Sequence, residues 1–576
     1  MRIAITGIGA VSAIGLNCTQ TLDALLKERS GIAPMRYLQS IHCHLPVGEV
    51  PCSNEELRAQ LQLGTQPLPR TSLLGITAAK EALTMAHIQT SESMAFISGT
   101  TVGGMDLTEQ HWHDYAQGEA LEYIHLHQAG ESTKAIARQL GTFGYICTPS
   151  TACSSALNAI ILGANLIRTG QVKQALVGGS ESLSRFHLNG FNTLLILDSQ
   201  PCRPFDADRK GLNLGEGAGY IVLEEESEAI ARGAHIIGYI AGYANACDAY
   251  HQTASSENGE GAYLAMTKAL EMAHIAPQEI DYINAHGTAT PNNDLSESAA
   301  LKRVFGNKMP YMSSTKAFTG HTTSASGGLE TVICLLAMQH HFVPANLNWT
   351  RTQDGLVIPT PHTTQHPLHY VLCNAFGFGG NESSLILSDR PVDLSTAPFN
   401  HANTVLAIGQ TDDSDISSYI SPAESRRMTP QTRRLVTAAK RALEEAEIST
   451  PDAIICATQY GSMLQSMRFL QDMINSNEQQ LKPTPFIQST HNTLASLIAI
   501  ITRNHGYNST YSQEHQSLQC AFNDAETQMS LGLIKNALIL EFDEQTEAWD
   551  NVLKHINEHT SNIARAYILT ANNKQC

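Results

Sequence analysis

Cys153 stands in Ser150-Thr-Ala-Cys153-Ser-Ser-Ala-Leu-Asn-Ala-Ile-Ile-Leu-Gly-Ala-Asn-Leu-Ile-Arg-Thr-Gly170. Small and apolar residues follow the cysteine at helical spacing, and Gly170 supplies a stop. The cysteine is therefore expected at the N-terminus of a mostly buried helix. Free amides and the helix dipole there favour thiolate over thiol, which would lower the pKa and give a nucleophile near neutral pH. A buried, inert cysteine reads the same way on this stretch alone.

Two histidine loops shift that balance. Tyr282-Ile-Asn-Ala-His286-Gly-Thr-Ala-Thr-Pro runs from a strand into a turn, then into a helix carrying Asp294 and Glu297. A histidine at a strand end, followed at once by glycine, is more easily presented to a cavity than packed in a core. Ser313-Ser-Thr-Lys316-Ala-Phe-Thr-Gly320-His321 leads into Ser324-Ala-Ser-Gly-Gly-Leu-Glu, which opens a helix of small residues. Last comes Asn374-Ala-Phe-Gly377-Phe378-Gly379-Gly380, a glycine-rich turn whose backbone amides could donate to an oxyanion. Any one of the 24 histidines is more often structural than catalytic. Four such loops in one segment are another matter.

These loops must be positioned by strands and helices, and apolar runs do alternate with helix-period stretches. Ala95-Phe-Ile, Ala175-Leu-Val and Gly219-Tyr-Ile-Val-Leu read as strands, and Ser72 to Leu83 as a helix, so the layering is α/β. Gly7-Ile-Gly9-Ala-Val-Ser12 has serine where a dinucleotide fingerprint needs its third glycine, so it reads as a tight strand-to-helix turn. Residues 391–404 have the texture of a linker, dividing a body (1–390) from a tail (405–576).

The tail repeats part of the body. Ile76-Thr-Ala-Ala-Lys-Glu-Ala-Leu83 returns as Val436-Thr-Ala-Ala-Lys-Arg-Ala-Leu443. Gly144-Tyr145 returns as Gly506-Tyr507, and Gly170-Gln-Val-Lys-Gln-Ala-Leu as Gly532-Leu-Ile-Lys-Asn-Ala-Leu; 506 − 144 and 532 − 170 both give 362. That offset puts His515 where the body has Cys153, and no partner for the other three loops follows.

With 42% hydrophobic and 16% charged residues over 576 positions, the composition is that of a soluble globular chain, without an apolar run of the length that spans a bilayer. The N-terminus reads as a first strand rather than a signal peptide. Twelve cysteines without a C-x-x-C pair argue against disulfides and a zinc site, and for a reducing cytoplasm. A formal charge of −18 makes nucleic acid an improbable partner.

The four loops together, in this order, resemble a β-ketoacyl-ACP synthase of the elongating type, in the thiolase-fold superfamily. Arg203-Pro-Phe-Asp, Leu214-Gly-Glu-Gly-Ala-Gly219 and Asp248-Ala-Tyr-His fit it too. The resemblance implies a thiolase-like α-β-α-β-α body with a nucleophile half (1–245) and a histidine half (246–390), followed by a degenerate half-domain. It implies no cofactor or metal, and a carrier protein delivering acyl and malonyl thioesters. It also implies a homodimer, or a heterodimer with a ketosynthase-like subunit, in which N-terminal halves meet.

By the same resemblance, Cys153 would hold the acyl chain while amides at Cys153, Phe378 and Gly379 hold an oxyanion. His286 and His321 would donate to the enolate left after decarboxylation. Lys316, Asp294 and Glu297 match positions that orient the site, as participants or as a structural ion network. Phe378 matches a gate, and Val102 an acyl-pocket position. Where the family has Thr-Asn after its last glycines, this chain has Asn381-Glu382. An acidic carrier would need a basic patch, for which Arg70, Arg203, Arg209 and Lys210 are the candidates. A thiolase would need a second active cysteine where Phe378 stands, and Cys373 precedes that turn. A non-catalytic scaffold suits the tail better than the body. The tail resembles half-ketosynthase and chain-length-factor pieces.

Overall fold

The structure, a computed structural model, describes residues 1–400, 404–410, 416–426 and 428–571. The body is built on ten strands: β1 (Ile3–Ser12), β2 (Met94–Gly99), β3 (Tyr145–Cys147), β4 (Gln174–Glu181), β5 (Gly217–Glu225), β6 (Gly238–Cys247), β7 (Tyr282–Asn284), β8 (Tyr311–Ser313), β9 (Tyr370–Gly377) and β10 (Asn381–Ser388). Their order is β3-β2-β4-β5-β1-β6-β10-β9-β7-β8. Within the ten-stranded sheet, β1 of the first half pairs with β6 of the second over Ile3 to Ile5. The expected division at 245/246 falls inside β6.

Helix α1 (Arg70–Ala86) covers the outer face of the first half, and α3 (Glu260–Ala273) that of the second. Between the halves lie α2 (Ser155–Arg168), every residue of which is buried, and α5 (Ser326–His340). The result is the expected α-β-α-β-α layering. Helix α4 (Pro291–Phe305) packs beside α3. The glycines of β1 serve this packing. A Cβ on Gly7 or Gly9 would stand 2.1 or 2.0 Å from the Ala82 or Ala78 carbonyl oxygen of α1. They mark close helix–strand contact rather than a phosphate site.

The tail carries five strands: β11 (Thr404–Gln410), β12 (Ala453–Ala457), β13 (Tyr507–Tyr511), β14 (Asn536–Asp543) and β15 (Ile563–Thr570). Their order, β13-β12-β14-β15-β11, repeats β3-β2-β4-β5-β1 strand for strand, with the same parallel and antiparallel pairings. Helix α6 (Pro430–Glu445) stands for α1, and α7 (Ser517–Ser530) for α2. The duplicated turns agree in detail, with Gly170 at φ +71 and Gly532 at φ +69.

Body and tail meet edge to edge. Pro149 bridges Tyr511, its equivalent at the 362 offset. The Ser150 N–H donates to Thr510 O at 2.8 Å, and the Ser512 N–H returns a bond to Thr148 O at 3.0 Å. Each bond is the image of the other, so the two half-folds are related by a pseudo-two-fold axis. The meeting of two N-terminal halves that the resemblance implies is thus present within one chain. The connector is held down: the Met1 ammonium donates to Leu394 O at 2.9 Å, and Arg168 Nε to Ser395 O at 2.7 Å.

Candidate active site

Four strand ends deliver the four loops to one place. After β3 the chain turns sharply at Ala152, φ +53, through a single 3₁₀ turn into α2, and Cys153 sits on that elbow. After β7, His286 is held through its backbone: Glu297 accepts the N–H groups of His286 and Gly287, both at 2.8 Å. Gly287 has φ +38, and a Cβ there would stand 2.5 Å from Ser314 Cβ. After β8, the His321 N–H donates to Asn213 O at 2.8 Å, fixing the loop that leads into α5. Between β9 and β10, the Phe378 N–H points at the Cys153 sulfur.

The reacting groups converge. Donor atoms of Cys153, His286 and His321 lie within 4.8 Å of one another. His321 Nε2 is 3.1 Å from Cys153 Sγ, and its Nδ1 is 3.0 Å from Ser326 Oγ. The two imidazoles meet edge to face, with centroids 5.2 Å apart. His286 Nδ1 has no hydrogen-bond partner among the described residues. Cys153, His286, His321 and Phe378 all line a cavity of about 390 Å³ that opens to solvent past Leu195, Lys210 and Asn292.

Charge is controlled by burial. Burial, helped by Lys316, holds both imidazoles far below the usual histidine range, so both are neutral at pH 7. Burial also pushes the Cys153 thiol up to about 12, against the opposing pull of Lys316 and the Phe378 N–H. The expected lowered thiol pKa is therefore not found. Cys153 is only 5% exposed, and desolvation of the thiolate outweighs the helix terminus. The resting pair is thiol and neutral imidazole.

Lys316 Nζ donates to Glu330 Oε1 at 2.5 Å, with both side chains buried. Glu330 was not anticipated; its signal is a lone acid in a run of small and apolar residues. Asp294 accepts the Phe205 N–H at 2.7 Å and lies 3.6 Å from Arg209 Nε, so it braces the loop rather than facing the thiol. Glu181, also missed, accepts from Thr100 and Thr101 and from Ser324, tying the Val102 loop to the turn before α5. Only Phe378 of the expected oxyanion pair in the glycine turn faces the sulfur. The Gly379 N–H is spent on Gln252 O at 2.7 Å. The Phe378 ring stacks on Phe191, centroids 5.5 Å apart.

The departure at Asn381-Glu382 has a structural account. Asn381 Oδ1 accepts from Ser154, Asn158 and Asn245 at 2.8, 2.9 and 2.9 Å, while its Nδ2 donates to Asn508 O of the tail at 2.6 Å. It couples the nucleophile helix to the tail. Glu382 is buried near Asp248 and Glu297, which holds its carboxyl well above the usual range.

Two docking candidates fail. Arg70 is buried, giving Nη2 and Nε to Glu216 at 2.6 and 2.8 Å. Arg209 is buried too, with Nη1 on Asp206 O and Nη2 on Pro291 O. Arg203 is half-buried, and Lys210 is exposed at the cavity mouth. Val102 lines a different cavity, on the inner side of the loop. In the tail, His515 stands exposed on a matching elbow (Glu514, φ +50), without the histidine loops.

Residues 1–229 match the family described as Beta-ketoacyl synthase, N-terminal domain, and 237–350 its C-terminal domain. A second N-terminal-domain match covers 402–576. The 3-oxoacyl-[acyl-carrier-protein] synthase 2 of Vibrio harveyi is 31% identical over 405 residues, covering 67% of this chain and 98% of that protein. This chain belongs to the β-ketoacyl synthase family. Nodulation protein E of Rhizobium meliloti is 34% identical over 397 residues, covering 67% of the chain and 98% of its own length. Among solved structures, the ishigamide ketosynthase/chain length factor aligns at 31% identity and TM-score 0.63, over 68% of this ketosynthase and 99% of that chain. The PfaC keto synthase–chain length factor spans 100% of this chain and 79% of its own at TM-score 0.80; at 18% identity it speaks for the fold alone. Among the described residues, no helix of this ketosynthase is long and apolar enough to cross a membrane.

Proposed function

We propose that this ketosynthase is a 3-oxoacyl-[acyl-carrier-protein] synthase that works through Cys153 in the cytoplasm, with an acyl carrier protein delivering both substrates. The observation that carries this reading is the 3.1 Å approach of His321 Nε2 to Cys153 Sγ, with His286 completing the cluster.

Sγ attacks the acyl thioester carbonyl, its proton leaves through His321 Nε2, and the carrier thiol departs with a proton. The Phe378 and Cys153 amides would stabilise the negative charge that gathers on the carbonyl oxygen. Malonyl thioester then binds in the open cavity, loses carbon dioxide, and leaves an enolate. Neutral imidazoles suit this step, because His286 can present an N–H to the enolate oxygen without a buried cation, and His321 can do so in the tautomer with its proton on Nε2, Ser326 Oγ then donating to Nδ1. The enolate carbon attacks the acyl-cysteine, the 3-oxoacyl thioester departs, and the cysteine sulfur regains a proton. Lys316, held by Glu330, keeps positive potential on the site throughout. Of the basic candidates, exposed Lys210 at the cavity mouth is the one best placed to meet the carrier.

The test is intact-mass spectrometry of the protein mixed with an acyl thioester. Wild type gains one acyl mass and the Cys153→Ala variant gains none. An equal gain in both overturns the assignment.

A further inference from the structure

Beside the C-terminal half of α2, where body, connector and tail meet, lies a cavity of about 430 Å³. It shares no lining residue with the Cys153 cavity. Asn165 and Arg168 of α2 line it together with Tyr243 of β6, Ser395 of the connector, and Tyr507 and Gln528 of the tail.

Arg168 is 2% exposed, and no carboxylate pairs with it among the described residues. Its Nε and Nη2 donate to Ser395 O and Oγ at 2.7 and 2.6 Å, and its Nη1 to Asn165 Oδ1 and the Tyr243 hydroxyl at 3.2 and 2.8 Å. Every one of these acceptors is neutral. The other two buried arginines both face an acid, Arg70 on Glu216 at 2.6 Å and Arg209 beside Asp294 at 3.6 Å. A buried cation without a counter-charge is costly. Arg168 also fixes its neighbour: a guanidinium only donates, so the Asn165 oxygen faces it and the amide nitrogen is turned away. Asn165 Nδ2 is buried and has no hydrogen-bond partner among the described residues. The wall thus carries an uncompensated cation and an unused donor three residues apart on one helix.

The rest of the lining says what kind of anion would suit them. Ile161, Ala244, Met272 and Ile534 give an apolar wall. At the exposed rim, two acids, Glu271 and Asp452, stand against one lysine, Lys268, which disfavours entry of a multiply charged ion. We propose that this cavity binds a small amphiphilic carboxylate, its head on Arg168 and Asn165 Nδ2 and its hydrocarbon body against Ile161, Met272 and Ile534. A carboxylate supplies the missing counter-charge and accepts from both donors. An alcohol of the same length would leave the cation uncompensated, and inorganic phosphate would leave the apolar wall uncovered. The inference is independent of the role given to Cys153.

The experiment is calorimetric titration of the full chain with octanoate, octanol and inorganic phosphate. Octanoate is expected to bind at least tenfold tighter than either of the others, the yield of one charge-assisted hydrogen bond. Arg168→Met should weaken octanoate by about tenfold or more; it strands no acid, so the variant should fold. Met272→Trp, which fills the cavity and keeps the guanidinium, should weaken it as much and decides the matter if Arg168→Met does not fold. No binding of octanoate by wild type overturns the proposal, as does octanol or phosphate binding equally well. Octanoate affinity unchanged in Met272→Trp, or in folded Arg168→Met, places the ligand elsewhere and overturns it too.

Discussion

Pro149 of the body bridges Tyr511 of the tail, and the two occupy equivalent positions in a duplicated half-fold. The nucleophile loop is therefore buttressed by a copy of itself that has lost the cysteine. Truncation after residue 392 would free the β3 edge, which an exposed strand satisfies by finding another partner. The truncated protein is expected to self-associate or lose thermal stability, measured by light scattering and calorimetry. A truncated protein that stays monomeric at unchanged Tm would contradict the structural role given to the tail.

Lys316 and Glu330 form a buried pair, and breaking such a pair leaves one charge uncompensated. Lys316→Met should cost about 3–5 kcal/mol of stability. Joining it with Glu330→Leu should recover part of that loss, which a double-mutant cycle reads directly. Additive losses would mean the two side chains do not act as a pair. The double variant should still lack normal turnover, because the positive potential at Cys153 is gone.

Glu297 gives a pH signature. Burial raises its carboxyl to about 7, above its ordinary value of 4.5. The folded state then binds more protons than the unfolded state between those values, so this group's contribution to stability falls as pH rises from about 4.5 to about 7. Glu297→Gln removes that titration. Its Tm, followed from pH 5 to pH 8, should decline less than that of wild type. Parallel declines would place the Glu297 pKa elsewhere.

Basic residues separate by burial. Lys210→Glu should raise the KM for carrier-bound substrate several-fold, leave that for small thioesters unchanged, and leave the Tm alone. Arg70→Ala should instead destabilise the protein by about 3–5 kcal/mol, because it strands Glu216. Matching behaviour in the two variants would count against this division.

The loops around Cys153, His286, His321 and Phe378 were legible in the sequence because each is a local pattern: a strand end, a glycine that permits the turn, and the residue it presents. The tail's repeat was legible for the same reason. Residues whose roles depend on remote partners were not. Arg70 looks like any surface arginine until Glu216 is folded against it, and Glu181 gains its meaning from Ser324. The thiol pKa misled because the helix N-terminus is visible in sequence and the depth of burial is not. Asn381 stood out in the sequence only as a departure from the family's Thr-Asn, and its bond to Asn508 O of the tail becomes visible only in the fold.

The central claim is that Cys153 is the acyl acceptor and His321 its proton partner. Acyl transfer from a thioester to the full-length protein, followed by intact mass against time, tests it most directly. Wild type should take up one acyl group, Cys153→Ala and Cys153→Gln none, and His321→Ala one group at a reduced rate. An acyl group carried by the Cys153→Ala protein at the wild-type rate would contradict the account.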